Sequence, residues 1–178
     1  MELERKFMQF GEGLEVSGDA VIAGYASLFD VADQGGDVVA CGAYGGSLEQ
    51  LKASGRSVKM LWQHDPARPI GVWDEVREDA CGLYVKGRLL ADVAQGREAL
   101  ALVEAGAIDG LSIGYRTKQA IKDGGARRLL EVELWEVSLV TFPMLPEARV
   151  AAKGDAPFDR DMREMTQAIE AMRLEMAG

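Results

Sequence analysis

The chain holds one histidine, His64, at the end of the apolar, strand-like run Val58 to Gln63 and just before Asp65-Pro66. An imidazole is the side chain best suited to taking and returning a proton near neutral pH. Downstream stands Gly110-Leu111-Ser112-Ile113-Gly114, one hydroxyl between two glycines. Further on, Glu136 interrupts a row in which Leu130, Val132, Leu134, Ser138 and Val140 share one face of a strand, while Glu131 and Glu133 alternate to the other. A carboxylate in an apolar row is expensive unless it is paired, so Glu136 asks for a partner and His64 is the one to choose. A serine hydroxyl is a poor nucleophile until an imidazole accepts its proton, and a carboxylate holds that imidazole in the useful tautomer. The chemistry on offer is acyl transfer, with glycines beside Ser112 letting a substrate backbone come close.

Each residue also has a plainer use. A histidine after a tryptophan can be a satisfied packing residue, a serine among glycines can simply be small, and a lone glutamate can pair with Arg or Lys. Two familiar serine-hydrolase layouts do not fit. Gly110-x-Ser112-x-Gly114 matches the nucleophile elbow in form, but an elbow sits between a strand and a following helix. Here a helical pattern precedes Ser112, a strand follows it, and no histidine lies beyond position 64. The chymotrypsin order His, Asp, Ser needs about two barrels and a Gly-Asp-Ser-Gly signature, and the chain has neither. On residues alone the chain is a soluble mixed α/β domain in which hydrolysis is one reading.

The elements that must position these groups alternate strands with two helices. Lys6 to Phe10 and Ala20 to Leu28 read as strands, and the polar stretch Asp30 to Asp37 as a loop that lacks the ligand spacing of a calcium hand. Ser47 with Gln50 resembles a capping box opening a short helix to about Ala53, closed by Gly55. The strand before His64 ends at Asp65-Pro66-Ala67-Arg68-Pro69, because proline cannot donate to a ladder. Ile70 to Arg77 and Leu83 to Leu90 form a hairpin. Asp92 caps a helix to about Ala105, stopped by Gly106. Leu111 to Ile121 and Arg127 to Val140 are strands joined at Gly124-Gly125. Residues 151–157 read as a linker. In 158–178, Phe158, Met162, Met165, Ile169, Met172 and Met176 form the seam of an amphipathic helix. That seam suits packing on its own domain, partner binding or dimerisation.

Composition sets outer limits. At 178 residues the chain fits one domain with a short appendage. A net charge of -9 leaves no basic surplus for nucleic acid or an anionic membrane. Two cysteines, Cys41 and Cys81, suit a reducing compartment and leave a single bridge open. With one histidine and two cysteines, a zinc site would have to borrow carboxylates, so neither metal nor cofactor is expected. No apolar run approaches the ~18 residues of a membrane span, and the amino terminus lacks a secretion signal. The expectation is a soluble protein made where it works.

The blocks taken together, in order, say more than any one of them. Gly24-Tyr25-Ala26-Ser27-Leu28-Phe29, Gly42-Ala43-Tyr44 and Val58-Lys59-Met60-Leu61-Trp62-Gln63-His64-Asp65 are followed by Pro69-Ile70-Gly71 and Gly82-Leu83-Tyr84-Val85. Gly110 to Tyr115 and Leu134-Trp135-Glu136-Val137-Ser138-Leu139-Val140-Thr141-Phe142-Pro143 complete the set. This series resembles the prohead protease family of tailed phages with HK97-type capsids and the related proteases of gene transfer agents. The resemblance implies a serine endopeptidase over 1–150 with an assemblin-like β-barrel flanked by helices. It makes His64 the base and Ser112 the nucleophile. Glu136 stands in the strand where assemblin relatives carry a second histidine. It further implies that the substrate is the scaffolding region of the major capsid protein, and often the protease itself. The work would be done in immature capsids within the bacterial cytoplasm, with a homodimer as one expectation and Lys153-Gly154-Asp155 as an exposed site for self-cleavage. A non-catalytic capsid-assembly adaptor is the rival from another class. Two departures stand out: Tyr44 replaces a common phenylalanine, and Met144-Leu145-Pro146 replaces a usual Ala-Asn. The latter falls where relatives supply oxyanion donors, so no oxyanion residue is assigned.

Overall fold

Glycines at 124 and 125 let the chain reverse in two residues, and this turn sets the longest hairpin among the described residues. In the computed structural model, which describes residues 4–8, 15–17 and 20–142, β8 (Gly110–Asp123) and β9 (Ala126–Val140) pair antiparallel from Asp123 opposite Ala126 to Gly110 opposite Val140. Both turn glycines have positive φ, 56° and 95°, a region open to glycine without strain.

Around this hairpin the chain adds β1 (Glu4–Met8), β2 (Glu15–Ser17), β3 (Val21–Leu28), β4 (Asp37–Val39), β5 (Lys59–Trp62), β6 (Asp65–Glu78) and β7 (Gly82–Leu89). The helices are α1 (Gly45–Ala53) and α2 (Ala94–Glu104). Sheet order is β1-β8-β9-β5-β6-β7-β3-β2, with β4 beside β9. The sheet is mainly antiparallel and curls into a half-barrel. The curl brings distant strands together: a Cβ added at Gly24 of β3 would lie 3.4 Å from Leu111 Cδ1 of β8. Inside it Ile22, Ile70, Leu83, Val85, Ile113, Leu129, Val137 and Leu139 are fully buried in one core. Each such side chain contributes roughly 1.5–3 kcal/mol over exposure, so the β8–β9 hairpin is anchored firmly.

Several local expectations change. Helix α1 starts at Gly45 with Tyr44 at its N-cap and no side-chain cap bond. The Ser47 hydroxyl instead accepts the Leu134 N–H at 2.9 Å, tying α1 to β9. Asp92 does not cap α2, since Val93 holds that place without a side-chain bond. The prolines at 66 and 69 do not end a strand either. Strand β6 begins at Asp65, and its register against β5 jumps from Asp65 opposite Trp62 to Pro69 opposite Leu61. Pro66 and Pro69 lie exposed in or beside that bulge, where no ladder donor is needed. The apolar row expected to run through Glu136 does not hold. The β8–β9 register slips between Leu134 and Glu136 and again beside Leu130, so Leu129, Val132 and Leu134 join the core with Tyr115 while Glu136 and Ser138 lie on the other face. Cys41 and Cys81 are free and exposed. The linker 151–157 and the helix 158–178 lie outside the described residues, as do positions 9 and 10 of the first expected strand.

Candidate active site

His64 reaches its position through a turn and not by continuing β5. Trp62 of β5 pairs with Asp65 of β6, so Gln63 and His64 form a two-residue hairpin turn with φ of 52° and 63°. Neither is glycine, and each left-handed residue carries strain. Three bonds to the end of β9 hold the turn. Gln63 N–H donates to the Leu139 carbonyl at 2.9 Å, and Gln63 Nε2 donates to Thr141 Oγ1 at 2.6 Å. His64 N–H donates to Ser138 Oγ at 3.2 Å.

Strand register supplies the other groups. Across β8 and β9, Ser112 lies opposite Ser138 and Gly114 opposite Glu136. With alternation of side chains, these four positions share one face, and Leu111, Ile113 and Tyr115 take the core face. The parallel pairing of β5 with β9 sets Lys59 opposite Glu136 and Leu61 opposite Ser138, so the turn after Trp62 arrives above that same face.

The result is a row of three groups. His64 Nδ1 lies 2.5 Å from Glu136 Oε1, and Nε2 lies 2.6 Å from Ser112 Oγ. With Glu136 accepting at Nδ1–H, Nε2 is left as the acceptor for the Ser112 proton. The second carboxylate oxygen, Oε2, accepts from Ser138 Oγ–H at 2.5 Å. Ser112 is 0% exposed, Glu136 3% and His64 5%, and low water content strengthens each of these electrostatic contacts. All three residues singled out from the sequence are thus brought together.

Gly114, two residues after Ser112, has a use that its place in the sequence did not announce. A Cβ on Gly114 would sit 2.1 Å from Glu136 Oε1, so Gly114 makes room for the carboxylate. Two further contacts of the site were not foreseen in the sequence. Ser138 was placed on the Glu136 face by parity, yet nothing in the pattern showed that its hydroxyl meets His64. The Gln63–Thr141 bond depends on a left-handed turn, which no glycine announces. The described residues include no cluster of three or more His, Cys, Asp or Glu side chains able to hold a metal ion, and none of their helices is long and apolar enough to cross a membrane.

A hydroxyl, an imidazole and a carboxylate in line, carried on a mainly β frame, are the layout of a serine hydrolase. Comparison with known proteins narrows that class. Residues 12–167 match the Caudovirus prohead serine protease family, and the chain belongs to it. It is 31% identical over 156 residues to the prohead protease of Enterobacteria phage HK97, covering 85% of this chain and 65% of that protein. It is 29% identical over 131 residues to a capsid polyprotein of Pseudomonas phage PAJU2, covering 68% of this chain and 19% of that one. The chain therefore spans just under two thirds of the first relative and about a fifth of the second. In fold it is similar to the bacteriophage T4 capsid assembly protease, with a TM-score of 0.62 at 17% identity over 80% of this chain and 98% of that one.

Proposed function

We propose that this protein is a serine endopeptidase of prohead maturation that cuts the scaffolding region of a major capsid protein, and itself, with Ser112 as nucleophile, His64 as base and Glu136 as the third member. The observation that carries the proposal is the imidazole held between Glu136 at 2.5 Å and Ser112 at 2.6 Å. Family membership as a serine protease and the kinship with a capsid polyprotein support the substrate class.

In this mechanism the Ser112 proton passes to His64 Nε2 as Oγ attacks the scissile carbonyl carbon. Collapse of the tetrahedral intermediate breaks the C–N bond, and the departing amine takes the proton from Nε2. Water then gives its proton to the same nitrogen and attacks the acyl carbon. The C–Oγ bond breaks as Ser112 Oγ takes that proton back from Nε2, which frees the carboxylic product. Glu136 stabilises the imidazolium at both stages. Because Ser112 has no exposed surface, substrate must displace what covers it. Such an arrangement suits an enzyme held back until assembly. The catalytic unit is assigned to 1–150, an assemblin-type fold, with 151–157 as linker and 158–178 as a docking or dimerising helix. It would act inside immature capsids in the bacterial cytoplasm.

The test is co-expression with capsid protein and sequencing of the capsid-protein termini. Ser112→Ala is expected to lower cleavage by about 10⁴-fold or more. Cleavage that persists in this variant would remove the assignment and leave a non-catalytic assembly factor.

A further inference from the structure

We infer that Ser138 is a positioning residue of this site, fixing the imidazole and the carboxylate through one hydroxyl. The inference rests on the triad proposed above. Ser138 Oγ has one hydrogen, and Glu136 Oε2, an acceptor, takes it at 2.5 Å. The hydroxyl is then the acceptor for His64 N–H at 3.2 Å. One atom therefore ties the main chain of the left-handed turn to the half of the carboxylate that does not touch the imidazole. The two carboxylate oxygens divide the work: Oε1 meets Nδ1 and Oε2 is anchored to β9.

Three further observations favour a positioning role over simple smallness. Ser138 is 0% exposed, so water does not replace a lost partner there. It lies directly opposite Ser112 in the ladder, so the strand pair that sets the hydroxyl opposite the imidazole also sets its anchor. The His64 turn has φ of 63° without a glycine, and a residue in that region stays put only where its surroundings hold it. Without the Ser138 hydroxyl, the His64 N–H and Glu136 Oε2 each lose the partner that fixes them. The imidazole then loses its single orientation.

His64 is the only histidine of the chain, so nitrogen-15 labelling of histidine reports one imidazole. The decisive pair is Ser138→Thr against Ser138→Val, which add the same bulk and differ in the hydroxyl. Wild type and Ser138→Thr should show one tautomer, protonated at Nδ1, and similar rates of fluorophosphonate labelling at Ser112. Ser138→Val should show mixed tautomers and labelling slower by about tenfold or more, the scale of a lost buried hydrogen bond. Ser138→Ala against wild type makes the same comparison if the bulkier pair does not fold. Equal tautomers and equal labelling rates with and without the hydroxyl would overturn the inference. If Ser112 of the wild type takes no label, as its burial allows before assembly, the loss of capsid-protein cleavage in Ser112→Ala decides the triad reading. The tautomer comparison then still decides whether Ser138 holds the imidazole.

Discussion

Two hairpins of this sheet turn in the same number of residues, and only one of them uses glycine. Between β8 and β9, Gly124 and Gly125 take positive φ at no steric penalty. Between β5 and β6 the same left-handed succession falls on Gln63 and His64, at roughly 1–2 kcal/mol per residue. The three bonds from that turn to Leu139, Thr141 and Ser138, at about 0.5–1.5 kcal/mol each, offset a cost of this size. One turn is there to reverse the chain. The other aims an imidazole, and strain is tolerated because β9 and Thr141 just after it have acceptors waiting for its N–H groups. The lesson is that the local rule for hairpin turns is broken at the proposed site and kept far from it.

Substitutions can separate the two. The largest effect is expected at Gly114→Ala, whose new Cβ would fall 2.1 Å from Glu136 Oε1. The carboxylate must move off the imidazole, and cleavage of capsid protein should fall by about 10²-fold or more. Near-normal turnover in that variant would mean that Glu136 is not needed where it stands. Next comes Gly125→Ala, which places a side chain at φ of 95°. Urea unfolding should show a loss of about 1–2 kcal/mol, with the labelling rate of Ser112 unchanged. A change in that rate would show that the distal turn also bears on the site. Smallest is Gln63→Gly, which relieves strain and removes the bond to Thr141. Stability should stay within about 1 kcal/mol while labelling slows about two- to fivefold. A variant that is both more stable and fully active would show that the strain serves nothing.

The same contrast explains what could be read in advance. The β8–β9 hairpin was legible because glycine marks its turn and alternation marks its strands. The pairing of His64 with Glu136 was legible because one histidine admits no rival and a carboxylate that is buried, at 3% exposure, needs company. Strand parity chose Glu136 over Glu133 correctly in burial, but the row it used is broken: register slips between Leu134 and Glu136, so Leu134 and Val132 face the core while Glu136 and Ser138 face the other side. The Ser47 cap failed for a tertiary reason: its hydroxyl went to Leu134 across the fold. Proline at 66 and 69 was read as a stop because a bulge leaves no mark in composition. His64 was assigned to the end of β5 by alternation, whereas a left-handed turn brings it over the site. Family likeness supplied what residues alone left open, membership of a serine protease family.

The parallel alignment of β5 with β9 also governs timing. The contacts it creates, such as the one between His64 and Ser138 across 74 positions, require a large loop to close before they repay its entropy. The β8–β9 ribbon can zip locally, but the segment bearing the imidazole must dock beside it from far upstream. On the proposed triad, a chain in which β5 has not yet joined β9 lacks its base and is inert.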